Sequence, residues 1–205
     1  MVTVVTQRHS RRDEYSATTR RALMDSATKL FAEQGYARTS LDEIAAGARV
    51  TKGALYGHFS SKQDLFRAVL QELEAATMAQ VLQAAAGAPT AWEGARTGLD
   101  AFLRACCDTV YSRVVMREAP IALPYAEWIA AEELNSYAVV RNMVQALVDS
   151  GEVDPVPVET AAHIIHAIIG AAAMLIAGAE PADQPKAFEQ ARAVVLRLAE
   201  GIRRR

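Results

Sequence analysis

The sequence predicts an all-α chain of about nine helices. Three observations carry this. No run of alternating apolar and polar residues long enough for a strand occurs in the 205 residues. Alanine, the strongest helix former, is abundant. Apolar residues recur at three- and four-residue spacing, and capping Ser or Thr, Gly and Pro punctuate the runs. With 51% apolar and 22% charged residues the composition is that of an ordinary globular chain, long enough for one large or two modest domains. There is no internal repeat.

The first helix is expected from about Thr18 to Gln34, capped by Ser16 or Thr18, with Leu23, Ala27, Leu30 and Phe31 as its apolar stripe. Gly35 should stop it in the left-handed conformation. Ser40-Leu41-Asp42-Glu43 reads as a capping box opening a short second helix that ends near Gly47. Thr51 caps a third, Lys52 to Tyr56, whose buried side is Leu55 and the following Phe59. Ser60 or Ser61 caps a fourth, from Lys62 toward Leu82, and Gly87 and Pro89 break the chain after it. A fifth helix is expected from about Ala91 to Val110. Pro120 and Pro124 should make Tyr111 to Pro124 irregular. Then come a long helix from Tyr125 to Asp149, stopped at Gly151, an eighth from Val158 to Gly178, and a ninth from Pro185 to about Arg203.

Helix, tight turn and helix over Thr39 to Lys62, with small polar residues on the outer face of the second helix, is the layout of a major-groove reader. Ile44-Ala45, Val50-Thr51-Lys52-Gly53, Leu55-Tyr56, His58-Phe59, Ser61-Lys62 and Leu65-Phe66, with Phe31, Gly35, Tyr36 and Thr39 upstream, resemble the tetracycline-repressor (TetR) family of bacterial transcription regulators. The likeness covers roughly Thr18 to Leu70. It implies an N-terminal three-helix helix-turn-helix DNA-binding domain and a C-terminal helical domain for ligand binding and dimerisation. We divide the chain accordingly into a flexible basic arm (1–15), a DNA-binding domain (16–66) and a ligand-binding and dimerisation domain (67–205). The resemblance implies that Thr39, Thr51, His58 and Lys62 meet phosphate. It also implies that Lys52 and Tyr56 reach base edges or nearby phosphates, and that Gly53 admits the DNA closely. Arg38 and Arg49 add cations at the same edge. Two positions depart from the family pattern. Arg49 stands where relatives have Gly, and a left-handed backbone there costs a non-glycine residue roughly 1–2 kcal/mol. Gly57 stands where relatives often place a large side chain.

Charge agrees with that division. Residues 1–70 hold 11 Lys/Arg against 7 Asp/Glu, a net of +4, and residues 71–205 hold 11 against 17, a net of −6. A basic third on an acidic body suits a module that meets phosphate on one side. Arg8, Arg11 and Arg12 form an arm that reads either as a plain tail or as a minor-groove contact. The two cysteines, Cys106 and Cys107, are adjacent and make no disulfide framework, so a reducing cytoplasm is the expected setting. The first 16 residues lack a signal-peptide core.

The eighth helix is apolar all round from Ala161 to Ala179 except for His163 and His166, so it is either buried or membrane-spanning. The interior histidines and the alanine-rich composition favour burial. Paired with the ninth helix it would form half of a four-helix bundle completed by a second subunit, as the resemblance also implies. The resemblance also implies a small-molecule pocket among the fourth, fifth, seventh and eighth helices, with Phe102, Cys106, Trp128, Tyr137, Arg141, His163 and His166 as candidate lining. Each of these taken singly reads more readily as plain core than as a ligand contact. Arg141 suits an anionic ligand or an ion pair with Glu132, Glu133 or Glu159. His163 and His166 at i, i+3 could share a metal with Cys106 or Asp108, but no Cys-x-x-Cys or His-x-x-x-His clamp supports one, and no cofactor is expected. No glycine-rich phosphate loop, nucleophile elbow or zinc-hydrolase helix is present, so no catalytic residue is assigned. The expectation is a homodimeric, ligand-responsive regulator, more a repressor than an activator. It should be released from a pseudo-palindromic operator by an apolar or aromatic effector, and no membrane is involved. A metal-responsive regulator of the same fold is the alternative. A helical adaptor or an enzyme without DNA binding is a remoter one.

Overall fold

The computed structural model describes residues 11–124, 126–128 and 136–203. It is all-helical. Among the described residues the only β-type pairing is an isolated antiparallel bridge between Val153 and Arg203. The chain forms two compact units, residues 1–69 and 70–205.

The first unit contains α1 (Arg11–Gln34), α2 (Leu41–Gly47), α3 (Lys52–Tyr56) and the start of α4 (Lys62–Ala86). α1 begins seven residues before the expected Thr18, so residues 11–15 are helical rather than part of an arm; Arg8 and the other first ten residues lie outside the described ones. Asp13 and Glu14 in its first turn suit the positive end of the helix dipole. Thr18 is no cap, because its hydroxyl donates back to Glu14 O at 2.8 Å. Gly35 ends the helix at φ 83°, as a left-handed cap requires. Leu23, Ala27, Phe31, Ile44, Leu55, Leu65 and Phe66 fill the core. Phe31, Tyr36 and Phe66 meet there at 5.1–5.8 Å between ring centroids.

The second unit contains the rest of α4, α5 (Ala91–Ala105), α6 (Thr109–Tyr111), a π-helical turn (Ser112–Glu118), α7 (Ala119–Ala122), α8 (Ala138–Asp149), α9 (Val158–Gly178) and α10 (Gln184–Glu200). Two expectations change here. α5 stops at Ala105 rather than Val110, because Asp108 starts a new helix by accepting the N–H groups of Val110 and Tyr111 at 2.9 Å. The stretch expected to be irregular is largely helical. Pro120 sits in the first turn of α7, where its missing N–H breaks no bond. Of the expected helix from Tyr125 to Asp149, Tyr125 and residues 129–135 lie outside the described residues.

Leu103, Cys106, Val114, Ala119, Ala173 and Ile176 are fully buried in this unit. Arg192 on α10 forks onto Asp100 of α5 with bonds of 2.6 and 2.9 Å. The first turn of α5 is capped twice. Thr90 Oγ1 accepts from Glu93 N, and the Glu152 carboxylate accepts from Ala91 N and Trp92 N. α9 has a mean hydropathy of 1.9 and is long and apolar enough to cross a membrane by composition. It packs against α8 and α10 and contributes Ala162, Ala173 and Ile176 to the core. Its other side is open: Ile164, Ala167, Ala171, Leu175 and Gly178 are exposed at three- and four-residue spacing.

Candidate nucleic-acid interface and cavity

The helix-turn-helix is built locally. Ser40 closes its capping box in both directions: its hydroxyl accepts from Glu43 N at 3.2 Å and its N–H donates to Glu43 Oε2 at 2.8 Å. The donors around that carboxylate, the Ser40 hydroxyl foremost, hold Glu43 below its ordinary carboxylate pKa. Asp64 is lowered likewise, first by the Ser60 N–H at 2.8 Å. The turn between α2 and α3 passes through Arg49 at φ 59°. That is the left-handed conformation which only glycine adopts without strain. Its guanidinium is exposed and has no hydrogen-bond or ion-pair partner among the described residues.

On α3, Thr51 caps the helix by accepting from Ala54 N at 3.2 Å. Its own hydroxyl proton can still be donated outward. Lys52 Nζ lies 2.7 Å from Asp42 on α2, in an exposed pair of the kind that water and salt weaken readily. Tyr56 is 51% exposed. A Cβ built on Gly53 meets only Thr51 Oγ1, at 3.9 Å, so nothing inside the chain demands glycine there. His58 is half-buried beside Phe59.

Three expected rim residues do other things. Thr39 is 2% exposed, and its hydroxyl donates inward to Gly35 O at 2.8 Å, so it offers nothing to a phosphate. Arg38 Nε donates to Gln34 O, a carbonyl at the C-terminal end of α1. Lys62 is half-buried. Its ammonium donates to Tyr36 O and Thr39 O, both at 2.9 Å, and sits 4.3 Å from the Tyr36 ring centroid. It clamps the α1–α2 loop, and at most one N–H remains for an outside anion. Arg20, which the sequence did not single out, lies 4.9 Å over the Phe59 ring.

The second unit holds a cavity of about 500 Å³, a usual size for a small-molecule site. Phe102, Trp128 and His166 line it as expected. Cys106, Tyr137, Arg141 and His163 do not. Cys106 is core, and burial pushes its thiol up to about 12. The other three gather on Glu159: Tyr137 Oη and Arg141 Nε donate to its carboxylate at 2.7 and 2.6 Å, and His163 Nδ1 lies 2.9 Å from its backbone carbonyl. Of the partners considered for Arg141, Glu159 is the one found; Glu132 and Glu133 lie outside the described residues. Most of the lining residues were not singled out in the sequence, Glu74, Arg96 and Ser136 among them. Glu74, only 6% exposed, follows Leu70 at four-residue spacing on the inner stripe of α4, a visible signal. Ser136, whose hydroxyl is 2.8 Å from His166 Nε2, gave none. Among the described residues no three His, Cys, Asp or Glu side chains gather as a metal cluster.

A capped helix-turn-helix joined to a helical, cavity-bearing unit defines a class of two-part, one-component DNA-binding proteins. Residues 23–69 match the family model for bacterial regulatory proteins of the tetR family, and residues 92–202 match that for the tetracyclin repressor-like C-terminal domain. The chain therefore belongs to the TetR family. A TetR-family transcriptional regulator from Pectobacterium atrosepticum superposes with a TM-score of 0.81 at 26% identity, covering 96% of this chain and 99% of that one. FadR from Bacillus subtilis, solved with stearoyl-CoA, has a TM-score of 0.73 at 19% identity, covering 87% and 96%, a likeness of fold alone. Among curated relatives, the transcriptional regulator AcrR of Shigella flexneri is 54% identical over 48 residues, which is 23% of this chain and 22% of its own length. TtgR of Pseudomonas putida is 41% identical over 63 residues, 31% and 30% of the two chains. The match thus spans less than a third of these relatives' length. They are named as transcriptional regulators rather than enzymes, and nothing in them supports the metal-responsive alternative.

Proposed function

We propose that the chain is a homodimeric transcriptional repressor that binds a pseudo-palindromic operator and leaves it when a small molecule occupies the cavity. The observation that carries the DNA reading is Gly53: a bare position on an exposed α3, flanked by Thr51, Lys52 and Tyr56, with no internal reason for glycine. The proposed contacts are Thr51, Lys52, Gly53, Tyr56, His58 and Arg49, with Lys62 and Thr39 holding the loop behind them. The proposed division of labour is a DNA-binding domain to about residue 66 and a ligand-binding and dimerisation domain beyond it.

The dimer is supported by the open face of α9 and α10, where Ile164, Met174, Leu175, Val194 and Leu198 are all exposed. An apolar face of this extent needs a partner, and a second copy of the chain supplies a matching one under two-fold symmetry. Ala167 and Ala171 at its centre allow close approach of the copies. Release then follows from coupling: a ligand that favours a state unfit for two half-sites lowers DNA affinity by the difference, typically about 1–3 kcal/mol.

Fluorescence anisotropy tests this, with the protein titrated into DNA flanking its own gene and into random duplex at two salt concentrations. Tighter, salt-dependent binding to the flanking DNA supports the reading. No binding to either duplex at low salt removes it.

A further inference from the structure

Among the described residues, Arg96 is the only Lys or Arg on the cavity wall. It is already matched: its Nη2 lies 2.7 Å from Glu93 and its Nη1 3.9 Å from Asp100, which Arg192 holds from the other side. Glu74 on α4 adds an acid to the same wall and is itself engaged within the protein. Met78, Leu99, Phe102, Met143 and Ile165 make much of the rest apolar. A ligand carboxylate or phosphate entering here would lose its water, find no uncommitted Lys or Arg among the described residues and meet Glu74. An ammonium would find Glu74 engaged and apolar groups around it.

Ser136 and His166 line this wall with hydroxyl and Nε2 2.8 Å apart, and each has a further contact within the protein; hydroxyl and imidazole are groups that both donate and accept. The pair is held in place from outside the cavity. The Tyr137 ring stands edge-on to His166 at 6.0 Å and lies tilted by 49° against His163 at 4.3 Å, while its hydroxyl is fixed to Glu159. A hydrogen-bonding pair oriented before ligand arrives costs less to engage.

We infer that the cavity takes an uncharged, largely apolar molecule bearing one hydroxyl or carbonyl group, with its polar end at the Ser136–His166 pair. This rests on the reading of the cavity as the effector site. It gives that effector a chemical class and removes anions from it, including the anionic ligand that Arg141 suggested in the sequence.

The protein carries its own reporter. Its two tryptophans, Trp92 and Trp128, both line the cavity, so intrinsic fluorescence reads occupancy without DNA. The unaltered protein is titrated with 1-decanol below its solubility limit and with decanoate and decyltrimethylammonium below their micelle concentrations. The expected order is decanol at least about tenfold tighter than either ion, since desolvating an unpaired charge costs more than that factor. Ser136→Ala and His166→Phe should each weaken decanol about fivefold, the loss of one hydrogen bond, while their DNA binding stays that of the parent. Decanoate binding as tightly as decanol, the ammonium binding tightest, or no fluorescence change with any of the three overturns the inference. The head-group comparison needs no variant, so a misfolded mutant does not decide it. DNA binding is read separately by anisotropy, which keeps failure of the regulator reading distinct from failure of this one.

Discussion

Arg49 and Gly53 stand four residues apart with opposite mismatches between residue and backbone. Arg49 accepts a left-handed conformation that glycine would take without strain. Gly53 keeps a helix position that alanine would stabilise. Both sit on the surface proposed to meet DNA, where strain and missing side chains serve a partner rather than the fold. Arg49→Gly should therefore raise stability by about 1 kcal/mol in urea titration and weaken DNA binding. Gly53→Ala should raise stability by up to about 1 kcal/mol and also weaken DNA binding, because its methyl group occupies the approach. A Gly53→Ala protein that binds operator as the parent does would remove Gly53 from the contact surface. Lys62 shows what residue types alone conceal. Its carbonyl partners lie 23 and 26 positions earlier, so the sequence offered a phosphate or solvent and not a loop clamp. Lys62→Met should lower stability by about 1–3 kcal/mol, as Thr39 O loses this donor and Tyr36 O keeps only the Thr39 N–H.

Elements were legible where their signals are local. The capping box at Ser40, the Thr51 cap and the Gly35 stop all appear as read, because each depends on residues within four positions. Boundaries that depend on competition were not: α1 outran Thr18, and Pro120 opened a helix instead of breaking one. Only a small part of the cavity wall was legible. Phe102 and His166 were found through apolar context, but the Tyr137–Arg141–Glu159 network drew its members away from the wall. The local caps also carry a pH signature. Glu43 and Asp64 have folded values below their ordinary 4.5 and 3.8. Their contribution is complete above those ordinary values and is lost as pH falls through the lowered ones. Ser40→Ala should thus melt below the parent at pH 7, and the gap should narrow by pH 3. A gap that stays constant would assign the cap's effect to something other than the Glu43 charge.

For the molecule as a whole, the open face of α9 and α10 is the largest unmet demand, with Leu175 at 69% and Val194 at 59% exposed. In the proposed dimer, Leu175→Glu would set two buried carboxylates against each other across the two-fold axis. Sedimentation should find it monomeric, with helicity unchanged by circular dichroism. A dimer unchanged by this substitution would place the interface elsewhere. The proposed dimer has a consequence for dosage. Below the concentration at which copies pair, the number of two-headed molecules rises with the square of the number of chains. A modest fall in synthesis then empties an operator more steeply than in proportion. A cell that dilutes this protein twofold by growth would lose up to fourfold in occupancy before any effector arrives.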